Sequence, residues 1–147
     1  MNEIVEYLKT KIGTVVTDSP SAAGRWLAGK LLEVEAGKLK VEYTVRPEMT
    51  NPILLLHGGM TALMIDDIIG ATVFTLNSNI MYITVNLNID YLSSAKEGDK
   101  VIAESGIVRK GRSVINAEAV LKSENGTIIA RATSNLVARM NQKMEVY

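Results

Sequence analysis

Apolar and polar side chains alternate through Leu39, Val41, Tyr43 and Val45 against Lys40, Glu42, Thr44 and Arg46, the period of a half-buried strand. The same period returns in Ile83, Val85, Leu87, Ile89 and Tyr91, set against Thr84, Asn86, Asn88 and Asp90. Three more strands are expected near Val101–Val108, Val114–Lys122 and Ile128–Arg139. Turns at Glu97-Gly98-Asp99, Lys110-Gly111-Arg112 and Asn125-Gly126 bound them, and the last is the strongest short hairpin signal in the chain. Between Gly58 and Leu76 the pattern changes. Apolar residues there lie almost all round a helix of roughly 18 residues, about 27 Å long. Such a helix is expected to be buried rather than amphipathic.

The remaining elements are shorter. Asn2 can cap a helix over residues 2–12 whose Ile4, Leu8 and Ile12 share a face, with Gly13 as its stop. Thr17 to Ser21 reads as loop, Trp26 to Val34 as a strand, Ala36-Gly37 as a turn, and Pro47 and Pro52 bracket another loop. The last eight residues read as a frayed tail. The plan is α+β: a strongly bent antiparallel sheet wrapped around one long central helix, in a single domain over residues 1–147. The stripe Thr84, Asn86, Asn88 is expected to face outward. Polar but uncharged until Asp90, it suits a subunit interface better than open water.

Composition narrows the function classes. Hydrophobic residues at 47% and charged residues at 22% fit an ordinary globular chain. The formal net charge of zero argues against a nucleic-acid-binding surface. There is no cysteine and one histidine, so thiol chemistry, Cys-based metal sites and multi-histidine metal centres are excluded. Met1 to Gly13 carries Glu3 and Glu6 and lacks the apolar core of a signal peptide. The longest uncharged run, Ile68 to Ile89, holds Asn77, Asn79, Asn86 and Asn88 and makes a poor membrane span. A cytoplasmic protein with no membrane or nucleic-acid partner is expected.

The chemistry concentrates between Asn51 and Gly70. His57 stands before Gly58 and Gly59, and Asp66 and Asp67 interrupt the apolar helix that follows. Ionised side chains in an apolar segment are costly unless compensated. A glycine pair opening a helix leaves bare backbone N–H groups that an anion can approach closely. Asp66 on its own could be a solvated or ion-paired helix carboxylate. Set beside an apolar pocket, its pKa would rise toward that of a working base. Asp67 points about 100° away, so the two cannot serve one pocket equally.

Asn51-x5-His57-Gly58-Gly59, with Asp66 eight residues after the first glycine, resembles the phenylacetyl-CoA thioesterase-like branch of the hotdog-fold thioesterases. Thr84-Val-Asn-Leu-Asn-Ile-Asp-Tyr-Leu-Ser-Ser-Ala95 is similar to the strand and exit turn that follow the helix in that family, and the likeness runs from about Asn51 to Ala138. The resemblance implies the hotdog fold and hydrolysis of an acyl-CoA thioester to a free acid and coenzyme A. It implies no cofactor, since coenzyme A belongs to the substrate. By position, Asp66 is the base or nucleophile, the Gly58 N–H polarises the thioester carbonyl, and Gly59 adjoins it. Asn51 and His57 orient the loop, and Thr84 helps hold the water. Asp67 is left a structural role, such as an interface ion pair. Sheets pair edge to edge in such proteins, and dimers stack into tetramers. Leu54 stands where the family commonly has glycine, which leaves room for a more crowded acyl pocket.

Two further readings come from the residues themselves. Arg109, Lys110 and Arg112 flank Gly111 in a turn, a basic shelf suited to the phosphates of coenzyme A as well as to plain solvation. Gly58 and Asp66 are separated by eight helical positions, about 12 Å along the axis. One thioester cannot reach both, so two antiparallel helices from two subunits must share each site. A non-catalytic acyl-CoA sensor of the same fold is the alternative, but sensing needs no base. A hydratase would want an aspartate before the histidine, and here the order is reversed.

Overall fold

The computed structural model describes residues 1–139; the tail expected at 140–147 lies outside them. Its elements are α1 (Glu3–Lys9), α2 (Ala22–Leu27), β1 (Lys30–Glu35), β2 (Lys38–Thr44), a 3-10 turn (Pro47–Met49), α3 (Gly58–Phe74), β3 (Tyr82–Tyr91), β4 (Lys100–Lys110), β5 (Val114–Ser123) and β6 (Ile128–Ala138). The strands form one six-stranded sheet in the order β1-β2-β4-β5-β6-β3, antiparallel throughout. Helix α3 lies across its inner face. This is the expected hotdog arrangement.

Small side chains make the fit between helix and sheet. Ala103, Ala117, Ala119, Ala130 and Ala132 are buried on the inner faces of β4, β5 and β6. They leave room for Met64, Ile65, Ile68 and Ile69 of α3, all at most 1% exposed. Close packing of this kind has little slack for added volume. The helix is not enclosed all round, however. Thr61, Met64, Ile65, Ile68, Ile69, Thr72 and Val73 are buried, at helical spacing along one stripe. Gly59 and Gly70 are exposed, and Leu63, Asp66, Asp67 and Phe74 are half-buried. The side of α3 away from the sheet is thus only partly covered by its own chain.

Three further expectations are corrected. Helix α1 ends at Lys9 rather than residue 12, and its buried contact is Val5; Ile12 is exposed. Asn2 does cap it, accepting the Val5 N–H at 3.2 Å. The strand expected from Trp26 starts only at Lys30. Ser21 accepts the Gly24 N–H at 2.9 Å and opens α2, which holds Trp26 and closes at Ala28 with φ of 53°. A six-residue helix is too short to show an apolar period.

The third correction moves Thr84 to the other face. Thr84 pairs with buried Leu136, but Asn86 pairs with outward Asn135, so Val85 is an extra residue in β3. The bulge resets the alternation. Tyr82 and Thr84 face inward before it, Leu87 and Ile89 after it, and Ile83 and Val85 are left exposed. Asn86 and Asn88 do face out. The Asn135 amide donates to Asn86 at 3.1 Å and Asn116 bonds Asn135 in turn, an amide ladder across three strands. No described helix is long and apolar enough to cross a membrane.

Candidate active site

The 49–57 loop sets up the start of α3. Asn51 Oδ1 accepts the backbone N–H groups of Ile53 and Leu55, each at 3.1 Å. The His57 N–H donates to the Met49 carbonyl at 2.9 Å. His57 is the N-cap: its Nδ1 accepts the Gly59 N–H at 2.9 Å. Asn51 and His57 therefore hold the backbone and do not bond one another. The Gly59 N–H is consumed by the cap, so Gly59 offers no free donor to a ligand. The Gly58 N–H makes no hydrogen bond among the described residues, at a helix terminus carrying roughly half a positive charge. Tyr91, which the alternation marks only as a strand residue, also acts here. Its hydroxyl donates to the Gly58 carbonyl at 2.9 Å and its ring packs on Gly58, tying the end of β3 to the start of α3.

Leu54 lies in this loop with φ of 62°, the left-handed region that favours glycine. The position thus asks for the residue that the resemblance expected. Leu54 is 63% exposed and is not among the residues lining the cavity beside Asp66, so it does not crowd that cavity within its own chain.

Further along α3, Asp66 meets β3. Thr84 Oγ1 donates to Asp66 Oδ1 at 3.0 Å. Both residues line a cavity of about 490 Å3 between α3, the inner faces of β2 and β3, and the segment carrying α1 and α2. Asn51, His57, Gly58 and Gly59 do not line it. The structure brings Asp66 and Thr84 together and leaves Gly58 at the far end of an unbroken α3, about 12 Å away by helical rise.

Among the described residues no cation lies within 4.0 Å of the Asp67 carboxylate. Ser21 donates its hydroxyl to Asp67 Oδ1 at 2.6 Å. Gly24 lies so close to the carboxylate that a Cβ there would stand 2.7 Å from Oδ2. Burial raises the Asp67 pKa above its ordinary value; the Ser21 hydrogen bond opposes the rise and the neighbouring Asp66 charge adds to it. Tyr43 and Ser21, both in the cavity wall, were not singled out from sequence. A tyrosine on a buried strand face whose hydroxyl must find a partner was the available signal.

Arg109, Lys110, Gly111 and Arg112 form the β4–β5 hairpin, outside the cavity. The three cations are exposed and no acidic group pairs with them among the described residues. The Gly111 N–H closes the turn on the Val114 carbonyl at 2.8 Å. Lys110 pairs with Ile115, Ile115 with Leu136, and Leu136 with Thr84. Three interstrand steps separate Lys110 from Thr84, about 14 Å across the sheet. The basic turn thus stands at the Thr84 end of β3, away from Gly58 of the same chain.

Comparison with known proteins agrees in kind. The family model described as Thioesterase superfamily matches residues 55–130, just over half the chain. Human acyl-coenzyme A thioesterase 13 is 30% identical over 113 residues, 76% of each chain. A crystal structure of a phenylacetic acid degradation-related protein from Ralstonia eutropha is 31% identical, with a TM-score of 0.73, over 81% of this chain and 92% of that one. Zebrafish thioesterase superfamily member 2 is 25% identical, with a TM-score of 0.75, over 93% and 96% of the two chains.

Proposed function

The chain belongs to the thioesterase superfamily, and from that premise we propose that it hydrolyses acyl-coenzyme A thioesters to a free carboxylic acid and coenzyme A. The observation that carries the proposal is the Thr84–Asp66 hydrogen bond on the wall of the cavity. A carboxylate that already accepts one hydrogen bond, with its other lone pairs open to a cavity, is placed to orient a water molecule.

In the reaction the water oxygen attacks the thioester carbonyl carbon and its proton passes to Asp66. Negative charge develops on the carbonyl oxygen, where the Gly58 N–H of a second subunit stabilises it. Collapse breaks the carbon–sulfur bond and the proton leaves with the thiolate as coenzyme A. One preorganised N–H of this kind is worth ~10²–10³ in rate. The Arg109, Lys110 and Arg112 turn receives the nucleotide phosphates. Residues 58–74 supply two halves of two different sites, so the working unit is at least a dimer, and a tetramer of two such dimers is compatible with the exposed Asn86–Asn135–Asn116 face.

A panel of aromatic and aliphatic acyl-CoA thioesters with thiol detection tests the activity. Hydrolysis of one or more class members is expected, and Asp66→Asn should lower kcat at least ~10²-fold while the fold and assembly stay intact. Tight binding with no hydrolysis of any of them would contradict the proposal.

A further inference from the structure

Gly58 is the first of two glycines opening α3, and its N–H is the donor that the proposed reaction needs. Glycine has no Cβ to restrict its backbone, and helix ends fray. A donor placed there must be held by its surroundings. The peptide group that carries it is held at its oxygen: the His57 carbonyl accepts the Met60 and Thr61 N–H groups at 2.9 and 3.1 Å. The next peptide group, between Gly58 and Gly59, is held at both ends. Its N–H donates to His57 Nδ1 at 2.9 Å, and its oxygen accepts from the Tyr91 hydroxyl at 2.9 Å.

Of these partners only Tyr91 comes from outside the helix and its cap. It lies 33 residues further along, at the last position of β3. Its ring lies over Gly58, with Cε1 and Cζ 3.4 and 3.5 Å from where a Cβ would stand. Pairing with Ala130 of β6 ties Tyr91 to the sheet. The segment that leaves β3 grips the chain on the other side of His57 as well, since the Leu56 N–H donates to the Ala95 carbonyl at 2.7 Å. A planar peptide group fixed at both ends leaves Gly58 little freedom to swing its own N–H. Tyr91 is 55% exposed, so apolar burial alone does not account for a tyrosine here.

We propose that Tyr91 is a positioning residue for thioester hydrolysis: through its hydrogen bond to the Gly58 carbonyl it fixes the direction of the Gly58 N–H. The inference rests on the thioesterase reading for its reaction and adds the group that preorganises the donor. A donor aimed in advance at the developing oxyanion needs no rearrangement in the transition state, and that is the source of its effect. Loss of the Tyr91 hydroxyl keeps the donor but loosens its aim. The cost should therefore fall on kcat and stay below that of removing the donor outright.

The test is Tyr91→Phe, which keeps the ring and removes only the hydroxyl. With phenylacetyl-CoA or hexanoyl-CoA, kcat should fall ~10- to 10²-fold while KM and Tm stay near those of wild type. Infrared difference spectra of the same thioesters, labelled with 13C at the carbonyl and bound to Asp66→Asn to prevent turnover, read the donor directly. The bound carbonyl stretch should lie below that of the free thioester, and adding Tyr91→Phe should move it back up. An unchanged kcat, a loss confined to KM, or a carbonyl stretch that Tyr91→Phe leaves alone would overturn the proposal. The infrared arm also keeps the two readings apart. If the wild-type protein cleaves no thioester, the thioesterase reading fails; a lowered carbonyl stretch of the thioester bound to wild type, lost in Tyr91→Phe, still supports the placing of the donor by Tyr91. A stretch that is the same in both proteins overturns it.

Discussion

Thr84 reaches Asp66 across 3.0 Å because Val85 is an extra residue in its strand. Without the bulge, strict alternation from Leu87 and Ile89 would turn Thr84 outward, with Asn86 and Asn88. The bulge both aims the hydroxyl and leaves Val85 unpaired on the outer side, the usual consequence of one inserted strand residue.

Thr84→Val keeps the branched shape and removes the hydroxyl. Hydrogen bonds to charged groups contribute about 1.5–3 kcal/mol. The expected outcome is a fall in kcat of roughly ten- to a hundredfold with KM little changed, since the hydroxyl positions the base rather than the substrate. Thr84→Ser should recover most of the rate. Steady-state kinetics on one good acyl-CoA substrate checks this, and a loss confined to KM would speak against the role.

Leu54 occupies a left-handed conformation at φ of 62°. For a residue with a Cβ that costs about 1–2 kcal/mol. Leu54→Gly removes the strain and adds freedom to the unfolded chain, which returns part of the gain. A rise of roughly 2–4 °C in Tm is expected by differential scanning calorimetry. A fall in Tm would show that the exposed leucine is held by contacts made outside its own chain.

The sign of the Asp67 linkage follows from burial. Its folded pKa is raised, so the folded state holds the proton more tightly than the unfolded one. The ionised group therefore costs stability above the folded pKa, and the cost is relieved as pH falls through that pKa toward the ordinary value of 3.8. The groups that face it are Asp66 beside it, Ser21 from the start of α2 and Tyr43 from β2. Asp67→Asn should be more stable than wild type at neutral pH, with the difference shrinking on acidification. Chemical denaturation between neutral pH and pH 4 measures it; a constant difference would contradict the linkage.

Lys110→Ala and Arg112→Ala should raise KM for acyl-CoA more than for acyl N-acetylcysteamine thioesters, which lack the nucleotide. Phosphate contacts by these exposed cations are the proposed cause. Equal effects on both substrate types would remove the hairpin from the coenzyme site.

Much of this was legible in the chain. The alternation of β2 and of β4 to β6, the Asn125-Gly126 turn and the start of α3 at Gly58 all carry local signals, and the structure places them within a few residues of expectation. What was not legible depends on contacts distant in sequence. The bulge at Val85 breaks no apolar pattern, because Ile83 and Val85 look like core until β6 fixes the register. Helix α2 rests on Ser21 and on the approach of Gly24 to Asp67, 43 residues further along. The structural role expected of Asp67 takes the form, within the chain, of a hydrogen bond from Ser21, the N-cap of that same helix.

In the proposed mechanism each site joins Asp66 of one subunit to the Gly58 N–H of another. Gly58→Pro removes that donor while suiting the first position of a helix, where proline is well tolerated. Asp66→Asn removes the other half. Each variant alone should be nearly inactive. Heterodimers of the two, verified by mass, should recover one complete site per dimer, the other site carrying both defects. Heterodimers as inactive as their parents, or a substrate-bound structure with Gly58 and Asp66 of one chain against one thioester, would rule out a site shared between subunits.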